Sequence, residues 1–164
     1  MDAIDYLKAQ HREVEALLEQ LLEDEGEALD LDERRVLFLQ VADLLSAHTE
    51  IEEDTFYPAV RAEDTQSLLR EAVEEHLSVK RLLVDLLNME PDDERFIAAL
   101  TTLKEQVAHH VEEEEKELMP KARSNLSREA LEDLHETISA DFDALMAEEP
   151  HEKLIDEVGA PAPI

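Results

Sequence analysis

Four stretches of this sequence carry apolar residues at spacings of three and four, and each stripe runs through a histidine. The first is Ile4, Leu7, His11, Val14, Leu18 and Leu21. The second is Val41, Leu44, His48, Glu52 and Thr55. The third is Leu69, Val73, His76, Val79, Leu83 and Leu86. The fourth is Leu100, Leu103, Val107, His110, Glu114 and Leu118. The spacing predicts four amphipathic helices with one imidazole in the buried face of each. In the second and fourth, a glutamate follows the histidine by one helical turn on the same face.

Those two stretches echo one another. "HTEIEEDTFYP" (48–58) and "HHVEEEEKELMP" (109–120) both read His-x-x-x-Glu with a proline ten residues after the histidine. The segments before them match as well: "HREVEALLEQLL" at 11–22 and "HLSVKRLLVDLL" at 76–87 share the His, the Val and four Leu positions. The repeating unit is a helix pair, offset by 62 to 65 residues. Two copies of a helical hairpin predict an antiparallel, up-down four-helix bundle in an all-α chain.

Helices are expected at about 2–25, 30–61, 65–90, 91–122 and 127–149, with Gly26 as a stop and Asp30 or Asp32 and Ser127 as caps. The bundle is assigned to residues 1–123, an additional C-terminal helix to 124–149, and a mobile tail to 150–164. At about 1.5 Å per helical residue, His11, His48, Glu52, His76, His110 and Glu114 fall in one slab near mid-bundle. Any one His-x-x-x-Glu is an ordinary helical pair. Four imidazoles and two carboxylates gathered in one dry core are too costly without a partner. A metal provides that partner, and imidazole with carboxylate suits iron, manganese or zinc. Two carboxylates at one level can serve two ions and leave positions for water, O2, NO or peroxide.

Other residues near the motifs read as less specific. His109 points about 100° away from His110 and is read as a surface or helix-interface residue. His135 lies beside the fifth-helix stripe and is read as packing, and His151 as solvent-facing in the tail. Glu53 and Glu115 read as surface charge, each within reach of a hydrogen bond to a ligand histidine. Tyr57 is read as packing, and Lys80 flanks the stripe one turn beyond His76.

Composition narrows the function classes. With 44 acidic and 15 basic residues the formal charge is −29, which opposes binding to nucleic-acid phosphates and anionic membranes. There is no cysteine, so disulfides, thiolate metal sites and thiol nucleophiles are excluded. No apolar run approaches the ~20 residues of a membrane span, and the N-terminus lacks a signal-peptide pattern, so a cytoplasmic protein is expected.

His11, "HTEIEEDTFYP", His76 and "HVEEEEKELMP" together resemble the hemerythrin-like, or HHE cation-binding, family over residues 5 to about 123. The resemblance implies a non-haem di-iron centre with an oxo or hydroxo bridge, held by His11, His48, Glu52, His76, His110 and Glu114. It also implies a small ligand such as O2, NO or peroxide, with iron sensing or iron–sulfur repair as other family roles. Oxygen-carrying hemerythrins have a His-x-x-x-His pair on the third helix. Here the positions four before and four after His76 are Ala72 and Lys80. A four-His, two-Glu set is closer to the iron–sulfur repair proteins, but the cysteine-bearing N-terminal segment typical of them is absent. A non-catalytic iron, zinc or manganese module is the alternative.

Overall fold

The computed structural model describes residues 1–158, and among them there are helices and turns but no strands. Helix α1 (Ala3–Leu22) opens with a reciprocal cap between Asp2 and Asp5, which satisfies amide groups left free at a helix start. It ends three residues before the expected Glu25. Asp24 and Glu25 take left-handed angles in a short 3₁₀ turn, Glu23–Gly26. Gly26 has φ +85, a backbone angle that favours glycine, and a Cβ there would press on the end of the Ile97 side chain at 2.3 Å.

Helix α2 (Leu31–Ile51) starts at Asp30, whose side chain accepts the Glu33 amide. Helix α3 spans Gln66–Leu87 and α4 spans Glu94–Glu113. These four form the bundle, with α1 against α2 and α4, and α3 against α4. At the loop end, Arg34 donates to the Gly26 carbonyl at 2.6 Å and to the Pro91 carbonyl at 2.6 Å. One guanidinium thus ties both inter-helix turns together.

Both repeats contain a wide turn that periodicity did not predict. α2 passes through a π turn at Glu52–Phe56 into Tyr57–Ala59, and α4 passes through one at Glu114–Leu118 into Met119–Asn125. Each begins on the motif glutamate, six residues before Pro58 or Pro120. Proline has no amide to donate and its ring crowds the carbonyl four residues back, and a wider turn relieves that crowding. The turn also shifts the helical phase by one residue. Phe56 is therefore fully buried, where the stripe predicted Thr55, which is only half-buried. In α3 the buried position is Ala72, and Val73, expected in the stripe, is 40% exposed.

Helix α5 (Arg128–Met146) begins at Ser127, whose hydroxyl accepts the Ala130 amide, and packs on α1 and α2. Residues 150–158 do not form the expected loose tail. A 3₁₀ turn at Pro150–Lys153 packs on α2, and α6 (Leu154–Val158) packs on α3. Leu154 is fully buried, Ser46 donates to the Pro150 carbonyl at 3.2 Å, and the His151 amide donates to Asp43 Oδ1 at 2.9 Å. His151 is therefore held against α2, not facing solvent as expected. The remainder of that expectation, 159–164, lies outside the described residues.

The apolar interior is split in two. One cluster holds Leu18, Leu21, Phe38, Leu83, Phe96 and Leu100, and the other holds Ile4, Leu7, Ile51, Phe56, Leu69 and Met119. In α1 and α3 the buried histidine lies between them: His11 between Leu7 and Val14, His76 between Ala72 and Val79. No helix of the described residues is long and apolar enough to cross a membrane.

Candidate metal centre

The structure brings the six sequence-selected residues into one buried cluster, none more than 7% exposed. They divide into two groups that share both glutamates. One is His11, His48, Glu52 and Glu114; the other is His76, His110, Glu52 and Glu114.

The carboxylates divide their oxygens between the two groups. Glu52 Oε1 lies 2.9 Å from His48 Nε2 and 4.0 Å from His11 Nε2, while its Oε2 lies 3.0 Å from His76 Nε2. Glu114 Oε1 lies 3.7 Å from His11 Nε2, and its Oε2 lies 3.0 Å from His110 Nε2. Each pair of histidines therefore faces one oxygen from each glutamate. Four atoms of the first group, His11 Nε2, His48 Nε2, Glu52 Oε1 and Glu114 Oε1, are buried with no hydrogen-bond partner. Leaving several polar atoms unsatisfied at one point is expensive. Two imidazole nitrogens and two carboxylate oxygens form the donor set that a borderline divalent cation takes.

Behind the imidazoles stands a ring of acceptors. His48 Nδ1 meets Gln10 Oε1 at 2.6 Å, His76 Nδ1 meets Glu53 Oε2 at 3.0 Å, and His110 Nδ1 meets Glu75 Oε1 at 3.1 Å. His11 Nδ1 lies 3.4 Å from Glu115 Oε2, which Arg12 also engages, and makes no hydrogen bond of its own among the described residues. An acceptor at Nδ1 keeps the proton there and leaves the Nε2 lone pair for a metal. The ring obeys the internal repeat. Gln10 and Glu75 each precede a motif histidine and serve the histidine of the adjoining helix. Glu53 and Glu115 each follow a motif glutamate and serve a histidine in the other half of the chain. Sequence reasoning allowed for Glu53 and Glu115 and missed Gln10 and Glu75. The available signal was their equivalence under the 65-residue offset.

Tyr57 is a further member of the site. Its hydroxyl lies 3.0 Å from Glu52 Oε2, 2.9 Å from Glu114 Oε2 and 3.2 Å from His76 Nε2. Burial, and then the negative Glu114 and Glu52, push this phenol well above its ordinary range, so it stays protonated. Burial alone would raise Glu52, but His48 and His76 outweigh it and hold the carboxyl well below its usual value. Burial alone would lower His76 and His110; Glu52 and Glu53 raise the first, and Glu114 and Glu75 raise the second well above the ordinary value.

The other candidates lie apart from this cluster. His135 packs on the Tyr6 ring at 5.1 Å between centroids. Lys80 is paired with Glu53 at 3.3 Å and Glu157 at 3.6 Å. His109 faces Glu75 and Glu113 on the outside of the bundle.

Two spaces adjoin the site. A small cavity of about 20 Å³ is bounded by the four histidines, by Gln10 and Thr49, and by Val14, Leu44, Val79 and Val107. A surface cleft of about 490 Å³, flanked by Arg61 and Arg70, reaches Tyr57 and Glu53.

A helical bundle with a buried, two-part His and Glu cluster defines a cation-binding bundle. The sequence model of the hemerythrin HHE cation-binding domain matches residues 2–122, and the chain belongs to that family. A solved structure of a hemerythrin HHE cation-binding domain-containing protein from Mycobacterium kansasii is similar at TM-score 0.78, covering 96% of this chain and 94% of that one at 24% identity. A curated relative described as a DNA nickase, from Nostoc sp., is 30% identical over 132 residues. That alignment takes in 80% of this chain but only 36% of the relative's length.

Proposed function

We propose that the chain holds two iron ions, one per group, and that the pair binds, senses or reduces a small ligand: O2, NO or peroxide. The observation that carries this reading is the division of the glutamate oxygens. Each histidine pair meets one oxygen from Glu52 and one from Glu114, so two ions would share both carboxylates. Bound iron would supply redox chemistry and open positions for the ligand.

The chain's own residues do the remaining work. Gln10, Glu53 and Glu75 fix the ring orientation of His48, His76 and His110 and direct Nε2 inward, while Glu115 stands 3.4 Å from His11 Nδ1. Tyr57 keeps its proton at a hydroxyl placed between the two carboxylates, where it donates a hydrogen bond to their oxygens. The 20 Å³ cavity is large enough for one water-sized molecule, and its wall sets valine and leucine side chains against the histidines, Gln10 and Thr49. The cleft that reaches Tyr57 offers a route from solvent.

Rapid mixing of reduced, iron-loaded protein with O2, NO and peroxide tests the reading. It expects an optical change with at least one of them, faster than free iron gives in the same buffer. No such change with any of the three would leave the second reading, a non-catalytic iron, zinc or manganese module. The Nostoc relative's described activity is not extended to this chain. The aligned part is about a third of that protein, and a charge of −29 repels a DNA backbone.

A further inference from the structure

The stretch "HHVEEEE" writes the His-x-x-x-Glu chelate twice, in registers one residue apart. His110 and Glu114 face inward. His109 and Glu113 lie about 100° round the helix and face out. There the neighbouring helix α3 presents Glu75 to the same nitrogen: His109 Nε2 lies 3.5 Å from Glu75 Oε2 and 3.4 Å from Glu113 Oε1. All three donor atoms lie within 4.8 Å of one another.

We propose that Glu75, His109 and Glu113 form a second, surface site for a single divalent transition-metal ion, joined to the buried centre through the Glu75 carboxylate.

The spacing supports a small, four-coordinate ion. Bonds of about 2.1 Å in a tetrahedron put donors about 3.4 Å apart, whereas an octahedron of the same bonds puts neighbours about 3.0 Å apart. The nitrogen–oxygen distances of 3.5 and 3.4 Å are compatible with the tetrahedral edge. One imidazole with two carboxylates is a donor set for zinc or ferrous iron rather than for calcium or magnesium, which prefer all-oxygen shells. A water would complete the site, since the His109 side chain is 65% exposed.

The charge balance points the same way. Two carboxylates approach one imidazole ring, and neither is paired with a lysine or arginine among the described residues. Lys116, one turn along α4, is taken by Glu112 at 2.6 Å. The site is not a by-product of the internal repeat: at the 62-residue offset, His109 and Glu113 correspond to Ala47 and Ile51, both buried.

Glu75 gives the site its connection inward. While Oε2 faces His109, Oε1 accepts from His110 Nδ1 at 3.1 Å. An ion on the outer oxygen draws charge from the inner one and loosens its hold on His110. This last part rests on the proposed buried centre; the outer site itself does not.

The test is calorimetric titration of the full chain, its buried centre filled and excess metal removed, with Zn2+ alone. The wild type is expected to take up one further Zn2+ per chain. His109→Ala and Glu113→Gln, both surface changes, are expected to weaken that step at least tenfold without altering the metal retained in the core. Co2+ in place of Zn2+ should give the intense visible absorption of a four-coordinate ion. Equal uptake and affinity in wild type and both variants, or only the weak absorption of six-coordinate Co2+, would overturn the proposal. His48→Ala separates the two readings. It should lose core metal and keep the outer step, so failure of the buried centre leaves the outer result intact.

Discussion

The Tyr57 hydroxyl sits 2.9 Å from Glu114 Oε2, the oxygen that faces His110, across 57 residues of chain. That contact exists because the wide turn at Glu52–Phe56 brings Tyr57 round to the face of the glutamate five residues before it. Removing the hydroxyl leaves carboxylate oxygens short of a donor in a dry site. Tyr57→Phe is expected to destabilise the metal-free protein by about 1–3 kcal/mol, read from urea denaturation after chelation. An unchanged midpoint would mean that the hydroxyl contributes nothing to the cluster.

Glu53 orients His76 from outside the cluster and is itself held by Lys80. Loss of such a group typically lowers metal affinity about 10- to 100-fold. Glu53→Ala should therefore release metal to a competing chelator at correspondingly lower concentration while binding the same number of ions at saturation. Fewer ions at saturation would assign Glu53 to the ligand set instead.

The four helices, the two hairpins and the six inward residues were legible in the sequence because a helix projects residues four apart on one face, and the same chelate was written twice. Gln10 and Glu75 were not, because each acts on a neighbouring helix and nothing local marks it. Nor were the wide turns, which a fixed 100° period cannot represent; they moved burial from Thr55 to Phe56. Val73 and Ala72 are adjacent and both apolar, so only the packing of α3 decides which faces inward. The placement of 150–158 depends on contacts with Asp43 and Ser46, more than 100 residues away in sequence.

That C-terminal segment carries a prediction of its own. Leu154 is fully buried within the apolar cluster next to the site. Leu154→Ala is expected to cost about 2–4 kcal/mol, in the range for emptying a leucine site in a packed core. A change below about 0.5 kcal/mol in thermal or urea unfolding would mean that residues 150–158 do not stay docked in solution.

The buried titratable groups set opposite pH responses with and without metal. His76 and His110 have raised values in the fold. Their contribution to stability is complete below the unfolded histidine value of about 6.5 and is lost as pH rises through the folded values. Glu52 has a depressed value, so its contribution is present above the unfolded value of about 4.3 and is lost as pH falls through the folded one. The metal-free protein is thus expected to be most stable between about pH 4.3 and 6.5 and to weaken as pH rises further. A metal needs these histidines without their Nε2 protons, so the stabilisation it adds should grow over that same rise. Thermal midpoints of chelated and metal-loaded protein from about pH 5 to 9 check both trends; parallel curves would contradict them.

Two ions between Glu52 and Glu114 would show in the metal content measured together with the optical spectrum. Iron-loaded protein should carry two irons per chain with near-ultraviolet charge-transfer absorption, and His48→Ala should lower the iron content and reduce that absorption. Less than one iron per chain without the absorption, or a His48→Ala protein that retains both irons, would rule out a paired iron site at these residues.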